Sequence, residues 1–179
     1  HAEGGVDYYV NGKALENLVI PQEITRIREY AFYNGRNIKS VEFHERIEYI
    51  ETYAFTDCKN MKLAVDKLPN YLKSIGDGAF TNCKKISKVG IPSSVTNIGI
   101  SAFQGCSSMT QCIFAEDIQL ERISVDVFSE CEKLEKMDIP SSVTSIENRA
   151  FCMCSSLKEV KFKADSKLKS IGNMAFSSD

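Results

Sequence analysis

Apolar residues fall in a frame that repeats along the whole chain. From Leu134 to Cys154, the apolar positions Leu134, Met137 and Ile139 are spaced by three and two. Pro140 and Ser141-Ser142 follow, then Val143, Ile146, Ala150, Phe151 and Cys154. The alternation up to Ile139 predicts a short strand whose alternate side chains point inward. Pro140 stops the pairing because it has no N–H to give, and the serine pair makes a corner. Val143 to Ile146 enters a second straight side, and Glu147 to Phe151 predicts one helical turn.

The same frame fits seven coils. Ala-Phe recurs at Phe32, Phe55, Phe80, Phe103, Phe151 and Phe176, with Val127-Phe128 in the same place, at steps of 23, 25, 23, 25, 23 and 25 residues. An isoleucine stands five residues before each phenylalanine: Ile27, Ile50, Ile75, Ile98, Ile123, Ile146 and Ile171. Such a period specifies a solenoid, in which each coil buries its apolar edge by stacking on its neighbours. At strand spacing, seven coils make a rod about 35 Å long. Asp66 occupies the third inward strand position of its coil, which predicts a bulge or register shift around Val65. In long coils the two extra residues are expected to lengthen the turn after the strand, as at Ala115-Glu116-Asp117 and Lys163-Ala164-Asp165.

Two regions are expected. Residues 1–14 form an N-terminal hairpin and cap, because Tyr8-Tyr9-Val10 alternates into Asn11-Gly12, a strong hairpin signal; the cap reaches on toward Ile20. Residues 15–179 form the solenoid. His1 to Gly5 reads as a tag remnant or linker stub. The last coil reads as incomplete, which predicts a longer protein or a missing cap.

Composition narrows the function. Apolar residues are 43% and charged residues 26% of 179, which excludes a disordered chain. The net charge is −2, and no basic block stands out along the sequence, so nucleic acid is not an expected partner. No apolar run is long enough to cross a membrane, so direct insertion is not expected.

Candidate chemistry is sparse. Cys58, Cys83, Cys106, Cys131 and Cys154 take the same corner of successive coils and predict a ladder of reduced, buried thiols, since parallel inward Cβ vectors disfavour bridges. Cys112 takes a core strand position, and Cys152 is expected to be the exposed thiol. The two histidines, His1 and His44, have no partners at metal-ligand spacing. No phosphate loop or nucleophile–base pair appears. No catalytic residue, metal or cofactor is assigned, and the chain is not read as an enzyme.

That leaves the outward face of the strands. Charges of both signs mark its ends, which argues against a strongly charged polymer as partner. Its middle is more apolar. The candidate protein-binding residues are Leu63, Lys88, Gly90, Gln111, Ile113, Lys136 and Asp138, an apolar centre with a charged margin. The competing reading is that small and β-branched residues simply suit strands.

The segments IPSSVTSIENRAFCMCSSLKEVKF and IPSSVTNIGISAFQGCSSMTQCIF resemble the BspA-type leucine-rich repeats of bacterial and protozoan surface proteins. The resemblance runs from Leu15 to Phe176 in seven registered copies. Gly35 and Asp179 depart from it at the turn cysteine, and Ala115 and Lys163 at the proline. It implies an α/β leucine-rich-repeat solenoid of right-handed coils, with a parallel sheet on one face and short helical or 3₁₀ turns opposite. It also implies an extracellular or cell-surface adhesion module of a larger protein, whose partner is a host matrix protein or another bacterial surface protein. The alternative is a structural spacer with no ligand. End-to-end self-association through the incomplete coil is a further expectation.

Overall fold

A computed structural model of the chain describes residues 6–178. The readings of His1 to Gly5 as a stub and of Asp179 at the turn-cysteine position lie outside these residues.

The alternating apolar stretches form short strands, one on each of two sides per coil. An antiparallel hairpin comes first, with β1 (Tyr9–Val10) and β2 (Lys13–Ala14) joined by Asn11-Gly12, both at positive φ. The front side is β3 (Asn17–Val19), β5 (Ser40–Glu42), β7 (Lys62–Leu63), β9 (Lys88–Ile91), β11 (Gln111–Phe114), β13 (Lys136–Ile139) and β15 (Glu159–Phe162). The rear side is β4 (Arg26–Ile27), β6 (Tyr49–Ile50), β8 (Ser74–Ile75), β10 (Asn97–Ile98), β12 (Arg122–Ile123), β14 (Ser145–Ile146) and β16 (Ser170–Ile171). Every pairing between coils is parallel, as in a right-handed solenoid. In register, Leu18 lies beside Val41, Val89 beside Cys112, and Met137 beside Val160.

The third side corrects the sequence reading. No helix or 3₁₀ turn occurs among the described residues. The amides explain why. A 3₁₀ segment uses successive N–H groups for local bonds. Here they alternate. The N–H groups of Ala54, Thr56 and Cys58 close turns onto the carbonyls of Glu51, Tyr53 and Phe55 (3.2, 3.3 and 3.1 Å). Those of Tyr53, Phe55 and Asp57 reach the next coil at Asp77, Ala79 and Thr81, each at 2.8 Å. Left-handed residues two before and two after the phenylalanine, Tyr53 (φ 56°) and Asp57 (φ 61°), turn the peptide planes so that alternate donors point along the solenoid axis. The satisfied backbone donors offset the cost of non-glycine residues in this region.

Inside, the phenylalanine rings stack from Phe32 to Phe176, with neighbouring centroids 5.3–5.8 Å apart and planes within 16°. Tyr8 of the hairpin region packs on Phe32 at 5.7 Å and covers that end of the stack.

Missing proline donors and one bulge mark where the front sheet is interrupted. β11 and β15, followed by Ala115 and Lys163, pair over four residues with the strand before them. The Ala115 N–H donates to the Ile91 carbonyl of the preceding coil (2.9 Å). Pro92 and Pro140 lack that donor. β13 has no ladder to β11, and β9 has none to β7, where the chain bulges out at 64–66 before bonding again to Gly90, so the front sheet splits at both places.

The inserts of the long coils lie elsewhere than expected. The turn after the strand has the same bond in short and long coils: Val95 N–H to Pro92 carbonyl (3.2 Å), and Ile118 N–H to Ala115 carbonyl (3.2 Å). The extra pair, Gln119-Leu120, follows that turn, and Leu120 is buried. In the third coil the extra residues bulge out of the strand at 64–66. Pairing resumes at Lys67 beside Gly90, and buried Leu68 takes the inward position that the sequence frame assigned to Asp66.

Candidate functional site

The split between β11 and β13 opens a groove of about 470 Å³ on the front face. Four predicted residues meet there: Gln111 and Ile113 from β11, Lys136 and Asp138 from β13. Ile113 is 61% exposed, and Phe114 and Phe162 add apolar surface beside it. Two ion pairs lie at the edge: Lys163 with Glu116 (3.4 Å), reaching across two coils, and Lys161 with Glu159 (3.4 Å). Lys136 and Asp138 form no ion pair among the described residues, so both charges are available to a partner. An apolar floor within a charged margin offers area for burial and polar groups for orientation.

The other predicted residues lie apart from this groove. Leu63 is in register with the inward-facing Val41 and packs against the core, because the pairing in β7 is one residue short of the repeat; its expected outward orientation is corrected. Gly90 lies beneath Lys67, where an added Cβ would meet Lys67 Cγ at 3.4 Å. Lys88 lines a second groove of about 310 Å³ with Lys62, Lys85 and Asp66.

Two surface features escaped the sequence reading. Phe162 stands where Ile139 stands in the preceding coil, an inward position in the repeat, but is 43% exposed. Tyr30, Tyr33 and Tyr53 form an exposed cluster on the turn side, with Tyr30 centroids 5.5 and 5.2 Å from the other two. A signal existed: all seven tyrosines lie within the first 71 residues.

The thiols are structural. All seven cysteines are free and buried, including Cys152, which the sequence had placed outside. Each corner thiol donates to the phenylalanine carbonyl of the preceding coil, as Cys106 Sγ does to Phe80 (3.2 Å) and Cys83 Sγ to Phe55 (3.2 Å). Burial pushes the Cys58, Cys106 and Cys154 thiols up to about 12 and raises Cys83, Cys112 and Cys131 as well. Protonated, enclosed thiols are poor nucleophiles and ligands. His44 Nδ1 accepts the Arg46 N–H (3.1 Å), and its Nε2 is buried without a partner. No group of three metal-ligating side chains occurs among the described residues.

With seven stacked coils and an open groove on the strand face, the fold is that of a leucine-rich-repeat binding scaffold. The chain belongs to the BspA type leucine rich repeat region family, which matches in six copies over residues 6–119 and 62–179. Among solved structures it is similar to a leucine-rich repeat protein from Bacteroides ovatus, at 29% identity and a TM-score of 0.82, over 91% of this chain and 41% of that one. It is also similar to a leucine rich cell surface protein from Faecalibacterium prausnitzii (21% identity, TM-score 0.56, 92% of this chain and 63% of that one). A third likeness is to the T. pallidum leucine rich repeat protein (20% identity, TM-score 0.69, 96% and 85%). Thus the chain spans less than two thirds of the length of the first two. No curated protein matches it.

Proposed function

We propose that this chain is an extracellular, non-catalytic adhesion module that binds a protein partner in the groove between β11 and β13. The family supports a recognition role at the cell surface, and the cell-surface description of the Faecalibacterium relative agrees with it. The observation that carries the site is Ile113, 61% exposed in a groove whose two charged neighbours, Lys136 and Asp138, are uncommitted. Buried apolar anchors ringed by polar groups dominate protein interfaces. The partner class is a host matrix protein or a surface protein of another bacterium. End-to-end association belongs to the same reading and would use the seventh coil, where Ile171 and Phe176 are 54% and 40% exposed, since the hairpin region covers the opposite end.

The test is surface binding of the chain to a panel of purified matrix proteins and bacterial surface proteins, with Ile113→Glu and Lys136→Glu as variants. Saturable binding that drops at least tenfold in either variant supports the site. Binding unchanged in both refutes it, and no binding to any member favours a spacer. Leu63→Glu is unsuitable as a probe, because it places a charge against the core.

A further inference from the structure

The sequence shows no basic block and its mixed charges argue against a strongly charged polymer as partner, yet stacking makes a local basic block that reverses that expectation for one groove. Residues 57–90 carry seven lysines and three aspartates, in a chain whose net charge is −2. They are dispersed along the chain, but a coil of 25 residues returns each to its neighbour's side. Lys59 and Lys84 follow the corner cysteines of adjacent coils. Lys62, Lys85 and Lys88 converge on the groove beside the split between β7 and β9, with Ser87 and Ser108 in its wall. All five lysines are exposed, and none forms an ion pair among the described residues. Asp66 is the one carboxylate lining the groove.

We infer that this groove binds a sulfated polysaccharide, with Lys62, Lys85 and Lys88 holding its sulfate groups. Three features select that ligand class. First, every cation in 57–90 is lysine and none is arginine. Lysine offers a point charge on a flexible stem in place of a planar fork, so it can follow anionic groups spaced along a flexible chain. Second, the apolar residues lining the groove are held in or against the core, with Leu63 packed on it and Ile86 buried, and the exposed Val65 of the neighbouring bulge is not part of the lining, so the groove itself offers no exposed apolar anchor. Third, the serine hydroxyls supply the neutral donors and acceptors that sugar hydroxyls need. The break between β7 and β9 borders this groove as the break between β11 and β13 borders the other. The two sites occupy different coils and take different ligands, so the inference stands independently of the protein-binding reading.

Heparin oligosaccharide, its desulfated counterpart, polyglutamate and single-stranded DNA of matched charge are titrated against the whole chain. One variant is Lys62→Ser/Lys85→Ser/Lys88→Ser. A control, Lys133→Ser/Lys158→Ser/Lys167→Ser, changes net charge equally on other coils. Three displaced counterions predict an affinity for heparin that falls about 20-fold between about 50 and 200 mM salt. The site variant is expected to lose at least tenfold at low salt while the control loses less than threefold, with melting temperatures unchanged. No heparin binding at low salt, or equal loss in both triple variants, overturns the site. Binding that survives desulfation, or polyglutamate or DNA bound as tightly as heparin, overturns the ligand class.

Discussion

Truncating Phe103 to alanine measures what the ring stack contributes. Phe103 is fully buried, with its ring 5.4 Å from Phe80 and 5.8 Å from Phe128 and nearly parallel to both. Deleting a buried phenyl group costs about 3–5 kcal/mol through lost transfer energy and the cavity left behind. The cavity cannot collapse readily, because the flanking rings are held by backbone bonds between coils: the Phe80 N–H to Ala102 and the Phe103 N–H to Val127. Two aromatic contacts, each about 0.5–1.5 kcal/mol beyond area, place the expected loss at the upper end, about 4–5 kcal/mol. Phe176 is the internal comparison. It is 40% exposed and stacks on one ring, Phe151, at 5.3 Å. Its replacement by alanine should cost about 1–2 kcal/mol on area alone. Urea denaturation followed by circular dichroism reads the whole solenoid. Tyrosine fluorescence reads the first three coils, because every tyrosine precedes residue 72. With a urea slope of about 2–3 kcal/mol/M, Phe103→Ala should lower the midpoint by about 1.5–2 M in both probes. Equal shifts for Phe103→Ala and Phe176→Ala would refute the stacked core.

Two further outcomes follow from the thiol ladder and the left-handed turns. Cys58, Cys106 and Cys154 keep their protons to about 12 when folded against an ordinary value of 9.0, so their contribution to stability is intact below pH 9 and is lost as pH rises toward 12. Urea midpoints should therefore fall above pH 9, and a thiol reagent at pH 8 should label the seven cysteines only after denaturation; rapid labelling of the native chain would contradict their burial. Gly78 has φ +62°, and a Cβ there would lie 2.5 Å from the Tyr53 ring. Gly78→Ala should destabilise by about 1–2 kcal/mol, with the cost only partly relieved by Tyr53→Ala; a neutral thermal shift would contradict the packed turn.

The periodic part of the fold was legible in the sequence because it repeats. Ile98, Phe103 and Cys106 recur in register with their counterparts, and each is buried. What escaped was decided by backbone bonds that composition does not encode. The segment from Glu147 to Phe151 reads as a helical turn from its residues alone. The Met153 amide reaches Ser177 and the Arg149 amide reaches Asn173, so the neighbouring coil claims the donors a helix would need. Asp66 misleads because the extra residues of its coil lie within the strand side and not in a turn. Leu68-Pro69 matches Ile91-Pro92 once the bulge is placed inside the strand. Leu63 faces inward through a separate one-residue offset, since Val41 pairs with it and not with Ala64. The candidate site was legible at Gln111, Ile113, Lys136 and Asp138, where the coils follow the frame. The lysine groove was not, because its members are neighbours only after stacking.

Hydrogen exchange on the chain with and without a bound protein partner tests the central claim most directly. The split leaves the facing edges of β11 and β13 without mutual backbone bonds, so amides there should exchange faster than those in the β9–β11 ladder. A partner seated in the groove should slow exchange at 111–116 and 136–140 and leave the rear strands unchanged. Protection confined to the rear or turn sides, with 111–116 and 136–140 unaltered, would contradict recognition through the front face.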